Sequence, residues 1–326
     1  RRSVGGCEKF HGAVIAHAGT ENTRVFREVK QLGEELERLS DLIPGSVNEA
    51  EVGVIFDWDN YWALEYTSGP SISLKYVDQI HRYYRKYYNY SYERNISVDM
   101  IPVDADFSQY KMVVAPVLYM VKPGMKEALE EYVKNGGILV TTYMSGIVGE
   151  SDNVYLGGYP GPLKEMAGVW VEEIDALAPE QHNIVTFKDG SRSKCKIVCD
   201  LMHLEGAESL GEYTEDFYAG MPAVTRHSYG KGKLYYIGTC MEEDGIAKIL
   251  SMAVEDAGAE PVAGAGNGLE IVKRNREGKS FYFVMNFRDE ELEIPEEFAG
   301  KTDLLSGNAV GKGEKLPKFG VKIVVE

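Results

Sequence analysis

A carboxylate and an imidazole stand three residues apart near the start of the sequence, in the segment CEKFHG at residues 7–12. If this segment is a loop at the end of a strand, both side chains can face one ligand, because each offers hydrogen-bonding atoms. Glu8 and His11 are therefore candidate ligand-binding residues. A solvated glutamate and a locally bonded histidine explain the same spacing, so the pair alone does not identify a site.

A second candidate site is aromatic and acidic. The segment DWDNYW at residues 57–62 directly follows a predicted strand. Ligand-facing residues of open parallel sheets gather at the carboxyl ends of the strands. Trp58 and Trp62 are thus candidates for stacking on a sugar or for contacting another subunit. Tryptophans that only pack in the interior are the alternative.

The cysteines favour neither disulfides nor a metal site. Four of them, too few and too scattered for a disulfide framework, occur in the chain. Cys195 and Cys199 are expected on one face of a strand, with His203 as the nearest further ligand. A tetrahedral zinc site needs more ligands and closer cysteine spacing. We therefore predict reduced thiols and no metal in this chain.

Ser145 follows another predicted strand, in the segment TTYMSG at residues 141–146, where a nucleophile elbow would lie. The elbow pattern G-x-S-x-G requires glycine at position 143, which is Tyr143 here. No serine–histidine–acid order is evident. The sequence favours a non-catalytic sheet, and a hydrolase that uses Ser145 remains the alternative.

The elements that must position these residues begin with a short predicted strand at residues 13–15 and a helix at residues 22–39. Asn22 or Thr23 can cap the helix. Its apolar residues are spaced alternately by four and three positions, which is one face of an amphipathic helix: Val25, Val29, Leu32, Leu36 and Leu39.

Strands and helices alternate in the central part of the sequence. This order predicts an α/β fold with a doubly wound, mainly parallel sheet, and residues 184–229 add short β-like runs. From residue 269 onward short alternating segments predict a small antiparallel β domain. The central elements are strands at 51–58, 97–103, 110–115, 138–142 and 234–238, and helices at 71–89, 125–135 and 246–257.

Composition excludes some classes of function. The chain has 326 residues, with 35 Lys and Arg against 51 Asp and Glu, for a net charge of −16. A nucleic-acid binder needs a basic face, so nucleic acid is not an expected partner. No apolar stretch approaches the roughly 20 residues of a membrane span, and the start has no secretory signal. We expect a cytoplasmic protein without a membrane partner.

Three parts of the sequence resemble the family 42 glycoside hydrolases, which are β-galactosidases. The segment RSVGGCEKFHGAV at residues 2–14, followed by residues 23–36, resembles the end of the catalytic TIM barrel. Residues 129–146 are similar to the family's trimerisation domain, whose topology is that of class I glutamine amidotransferases, or flavodoxin-like, without a working nucleophile. Residues 303–308 and 316–321 are similar to its C-terminal β domain.

The resemblance implies three domains: residues 1–45 as the last β/α unit of the barrel, 50–262 as the trimerisation domain and 268–326 as the C-terminal domain. It implies that Glu8 and His11 contact the galactosyl unit. The family's two catalytic glutamates, and the cysteines that hold zinc in some members, lie upstream, so no catalytic residue and no cofactor are expected here. The implied partners are two further copies, as a homotrimer, and a galactoside in the intact enzyme.

The length of the N-terminal segment agrees with this implication. A β/α barrel needs about 250 residues, and only about 45 precede the sheet domain. Since the chain begins with Arg1, we expect a piece of a longer enzyme that is inactive alone. The alternatives are a stand-alone amidotransferase-like binding or regulatory module and the hydrolase that uses Ser145.

Overall fold

The structure is a computed structural model that describes residues 3–67, 76–264 and 268–326. These residues form two compact units. One consists of residues 50–264, and the other combines residues 3–49 with residues 268–326. Within the described residues, no helix combines the length and the apolar character that crossing a bilayer requires. The first and last segments of the chain share one unit here. The predicted division into three domains stays a prediction.

The helices follow in chain order. They are α1 (Arg24–Leu39), α2 (Trp58–Tyr66), α3 (Tyr76–Glu93), α4 (Met125–Lys134), α5 (Lys164–Ala167) and α6 (Glu243–Ala257). The strands are β1 (Val52–Ile55), β2 (Val98–Ile101), β3 (Met112–Ala115), β4 (Ile138–Thr142), β5 (Val169–Ala176), β6 (Asn183–Phe187), β7 (Arg192–Leu204), β8 (Glu208–Tyr213), β9 (Pro222–Tyr229), β10 (Gly232–Ile237), β11 (Thr239–Met241), β12 (Glu270–Arg276), β13 (Lys279–Met285), β14 (Leu292–Glu293), β15 (Thr302–Asp303), β16 (Lys315–Leu316) and β17 (Val321–Val325).

The large unit contains one mixed sheet. Strands β2, β1, β3, β4 and β10 lie side by side in parallel, and the sheet continues antiparallel through β9, β8, β6, β7 and β11, with β5 also paired to β7. The predicted mainly parallel sheet was wrong on this point. The cause is the segment after residue 168, whose long hairpin strands the sequence pattern indicated only as short β-like runs.

The inner parallel strands β1, β3 and β4 are buried on both faces, as their continuous apolar runs indicate. In β3, Met112 and Val114 pack in the cluster that includes α3 and α6 side chains. Val113 and Ala115 pack in the cluster that contains the apolar side of α4. Helices thus cover both faces of the parallel strands. The predicted residues 71–75 of the tyrosine-rich helix lie outside the described residues.

The small unit contains an antiparallel sheet in the order β12-β13-β17-β15, with β14 paired to β16. The predicted antiparallel β domain is confirmed at this level. The strand predicted at residues 13–15 was wrong, because residues 3–23 form turns and bends before α1. A strand of a parallel barrel needs hydrogen-bonding neighbours on both sides, and this segment has none within the described part of the unit.

Candidate functional site

Glu8 and His11 lie together in one exposed turn. The backbone amide of His11 donates a hydrogen bond to the carbonyl oxygen of Glu8 over 2.8 Å. His17 Nε2 lies 2.6 Å from the carbonyl oxygen of Ser3, which ties the two ends of the segment. Both candidate side chains are exposed. The turn therefore leaves both a carboxylate and an imidazole accessible from outside the unit.

Helix α1, which follows this turn, starts as its sequence predicts. The Thr23 hydroxyl accepts a hydrogen bond from the amide of Phe26 over 3.3 Å and caps the helix. The apolar face of α1 is only partly covered within the unit: a groove of about 440 Å³ separates Leu32 and Leu36 from the sheet residues Phe283 and Val321. The side chains that remain 40–59% exposed are Val25, Val29, Leu32 and Leu36.

The second predicted site lies at the carboxyl end of β1, where α2 begins. The Asp57 carboxylate caps α2 by accepting a hydrogen bond from the amide of Asn60 over 3.1 Å. Lys122 Nζ lies 2.8 Å from Asp57 and 2.7 Å from Asp59. Partial burial disfavours the charged lysine, but the hydrogen bonds to the two carboxylates outweigh it and raise the pKa of Lys122. The cation therefore fastens the start of α2 to the loop after β3.

Trp58 and Trp62 project outward from α2. Their ring centroids are 5.8 Å apart, and Trp58 also makes an edge contact with Phe56 at 4.9 Å. Tyr66, one further turn along, is the most exposed of the aromatic residues on this helix. The structure thus extends the two predicted tryptophans into a row, which we call the α2 aromatic stripe: Trp58, Trp62 and Tyr66.

Asn60, which was not among the residues predicted from the sequence, holds α2 from its inner side. This buried amide donates to the carbonyl oxygen of Val117 over 3.0 Å and accepts from the amide of Met120 over 2.8 Å. Both partners belong to the loop after β3. One sequence signal could have indicated Asn60: it is a polar residue on the inner face of a helix that follows a buried strand. Its two partners are about 60 residues away, so no local pattern indicates them.

Ser145 is buried and its hydroxyl is fully engaged. It accepts a hydrogen bond from the amide of Leu118 over 3.0 Å and lies 2.8 Å from the hydroxyl of Thr141. The residues with left-handed backbone in this turn are Met144 and Gly146, with φ at 58° and 64°, and neither has a nucleophilic hydroxyl or thiol. A nucleophile must reach its substrate, so this geometry does not support the hydrolase alternative.

The three candidate zinc ligands do not converge. Cys195 and Cys199 are buried, and Cys199 Sγ lies 3.6 Å from the hydroxyl of Thr239. His203 is half exposed, with its Nε2 2.6 Å from a carboxylate oxygen of Glu172. Among the described residues, no group of three or more His, Cys, Asp or Glu side chains is arranged to hold a metal ion. These residues do not fit zinc.

Family models match nearly the whole chain. The model described as the β-galactosidase trimerisation domain matches residues 50–260, and the β-galactosidase C-terminal domain matches residues 268–326. A third model, described as β-galactosidase, matches residues 1–39. The turn with Glu8 and His11 falls in the third match, and the α2 aromatic stripe falls in the first.

Individual relatives agree with these matches. The β-galactosidase LacZ of Lactobacillus acidophilus is 48% identical over 316 residues, which is 97% of this chain and 47% of that protein. The crystal structure of β-galactosidase from Bacillus circulans sp. alkalophilus superposes with a TM-score of 0.93 at 45% identity, covering 100% of this chain and 48% of that one. Gan42B, a family 42 β-galactosidase, superposes with a TM-score of 0.90 at 35% identity, covering 100% and 47%.

The chain spans about half the length of the curated relatives that it matches. The trimerisation model alone covers well over half of the chain, and the segments before and after it match further β-galactosidase models. The chain therefore belongs to glycoside hydrolase family 42 and corresponds to the C-terminal portion of its β-galactosidases.

Proposed function

We propose that this chain is the assembly portion of a β-galactosidase that hydrolyses terminal β-D-galactose residues with retention of configuration. Its central domain joins copies into a homotrimer, and its N-terminal segment supplies binding groups to the galactose pocket. The two catalytic glutamates of the double displacement belong to a part of the enzyme upstream of Arg1. The chain alone is then inactive.

The observation that carries this proposal is the open apolar face of α1. Four of its aliphatic side chains remain about half exposed, although their spacing is that of a buried helix face. A helix of this kind draws most of its stability from packing. Neighbouring β/α units of a barrel would supply that packing, and the β-galactosidase model matches this segment.

Within the intact enzyme, Glu8 and His11 orient the galactose. A carboxylate and an imidazole on one turn can each take a sugar hydroxyl, which holds the anomeric carbon near the nucleophile. Their exposure in this chain is consistent with a pocket whose other walls come from elsewhere. They act as substrate-binding residues and not as the acid or the nucleophile.

The test compares the intact enzyme with Glu8→Gln and His11→Asn variants on a chromogenic β-galactoside. Loss of one hydrogen bond to the substrate is expected to lower kcat/KM about 10- to 100-fold. Glu21→Gln is the matched control, because Glu21 is an exposed glutamate of the same segment. Unchanged kcat/KM in both site variants, or turnover by the 326-residue chain alone, would refute the proposed roles.

The central domain has, in this proposal, the topology of class I glutamine amidotransferases with the catalytic function lost. Support comes from the turn after β4, where internal hydroxyls already occupy the backbone amides. The amide of Val117 donates to Thr142 Oγ1 over 2.7 Å, and that of Leu118 donates to Ser145. Ser145→Ala should leave galactoside hydrolysis by the intact enzyme unchanged, whereas a hydrolase that uses Ser145 would lose its activity.

The homotrimer, the cytoplasmic location and the absence of a cofactor are parts of the same proposal. Light scattering coupled to size exclusion should give the mass of three chains of 36.3 kDa each for this chain. Cell fractionation should place the enzyme in the cytoplasm. Any zinc in the intact enzyme should be retained when Cys195 and Cys199 are replaced by serine, since we assign its ligands to the upstream part.

A further inference from the structure

We propose that the α2 aromatic stripe is the surface through which one copy of this chain contacts a second copy. This inference rests on the proposed homotrimer and names the residues that hold it together. Trp58, Trp62 and Tyr66 are spaced by four residues, so they lie along one side of the helix. Their exposed fractions are 57%, 50% and 86%.

The exposed area is large enough to matter for association. Aromatic side chains bury about 150–250 Å² each, so three that are half or more exposed offer roughly 300–400 Å². A standard interface buries about 800 Å² on each partner. The stripe would therefore supply nearly half of one face of such an interface. An apolar patch of this size on a monomer commonly marks a contact site.

The opposite side of α2 anchors the stripe to the unit. Leu64 is buried in the core cluster and Tyr61 packs against that cluster. Asn60 makes its two hydrogen bonds to the loop after β3, and Lys122 pairs with both acids at the start of the helix. A helix held at this many points loses little conformational freedom on binding, and pre-organisation of this kind favours affinity.

The chemistry of the stripe fits a protein surface better than a sugar. Sugar recognition needs polar groups beside the aromatic ring, but two of the three acids on or capping α2, Asp57 and Asp59, are paired with Lys122, which leaves Glu65 as the third. Interface centres are enriched in Trp and Tyr and poor in unpaired charge. The stripe also lies in the region that matches a model described as a trimerisation domain. A second copy of this chain is the occupant that these observations favour.

The test measures the oligomeric state of the full chain by sedimentation velocity. Trp62→Gln combined with Tyr66→Gln should shift the trimer toward monomers and raise the dissociation constant at least tenfold. This variant leaves Trp58 and its contact with Phe56 in place, so α2 should still fold, which circular dichroism and thermal unfolding would check. Phe217→Gln is the matched control, because Phe217 is an aromatic residue of the same unit, 74% exposed and outside α2.

The outcomes separate this inference from the proposed function. The inference is supported if the wild-type chain is a trimer, the stripe variant dissociates more readily and the Phe217→Gln control does not. A wild-type trimer that both variants leave intact overturns the inference and leaves the homotrimer standing. A wild-type monomer overturns both. A further outcome concerns sugar binding. If methyl β-galactoside changes the tryptophan fluorescence of the wild-type chain but not of the stripe variant, and both chains have the same mass, the stripe binds sugar and the inference is overturned.

Discussion

Helices α4 and α1 have similar sequence patterns and different surroundings. In α4 the apolar side is buried against the parallel sheet, through Met125, Leu129, Tyr132 and Val133. In α1 most of the apolar side remains exposed. The difference shows that the large unit covers the apolar side of α4, whereas the described residues leave most of the apolar side of α1 uncovered.

The largest expected difference is in the free energy of unfolding, when one leucine is replaced by alanine in α4 and one in α1. Leu129→Ala removes a fully buried side chain and should lower the free energy of unfolding by about 2–5 kcal/mol. Leu32→Ala removes a side chain that is already half exposed and should cost less than about 1 kcal/mol. Urea unfolding of the chain followed by circular dichroism measures both values. Equal losses would show that α1 is covered in solution.

A smaller effect is expected where α2 is fastened to the large unit. Asn60→Ala leaves the carbonyl of Val117 and the amide of Met120 without their partner, which should cost about 1–3 kcal/mol. Asn22→Ala is the matched control, because Asn22 is exposed in the N-terminal segment. Thermal unfolding would measure the difference. A loss no larger than that of the control would mean that α2 is not anchored by this amide.

The buried core of the large unit also contains the carboxyl group of Asp200, and burial there disfavours its ionised form. Asp200 accepts a hydrogen bond from the Tyr236 hydroxyl over 2.8 Å, and its Oδ1 has no partner among the described residues. Burial raises the pKa of Asp200 well above its ordinary value, so the folded chain holds this proton more tightly than the unfolded chain.

Stability should therefore fall as pH rises from the unfolded pKa of about 4 toward the raised folded value. Asp200→Asn keeps the shape and removes the charge, so this part of the pH dependence should disappear. Chemical unfolding at a series of pH values, with Asp104→Asn as an exposed control, would measure it. The same slope in wild type and Asp200→Asn would contradict the raised pKa.

The smallest expected effect concerns the cap of α1. Thr23→Ala removes the side-chain oxygen that accepts from the amide of Phe26 and should weaken the first turn by about 1 kcal/mol. Hydrogen exchange followed by mass spectrometry should show faster exchange in the first turn of α1 and no change in β3 or β4. Faster exchange throughout the large unit would mean that α1 and the sheet unfold together.

Much of the local structure was predictable because it depends on short-range patterns. The alternating spacing of four and three residues predicted α1, and Thr23 was one of two predicted caps. The continuous apolar runs predicted β1, β3 and β4, whose residues are all buried. Glu8 and His11 were predicted to share a loop, and they do, while their role in binding galactose stays a prediction.

Other features depended on residues far apart in the chain. Strand β10 pairs in parallel with β4 and antiparallel with β9. No local sequence pattern predicts this change from parallel to antiparallel pairing. The two partners of Asn60 lie on another loop. The buried position of Ser145 also comes from its surroundings, since the segment TTYMSG is equally compatible with an exposed turn.

The sequence by itself indicated α1, the parallel strands and the helices α4 and α6, the apolar side of α1, and a net charge that excludes a basic nucleic-acid face. These properties follow from the periodicity of side chains along a regular backbone and from composition. Only the tertiary structure decided which apolar sides are covered, which hydroxyls are enclosed and which tryptophans face outward. Burial depends on contacts between segments that are distant in the sequence. A local pattern does not identify which segment will pack against it.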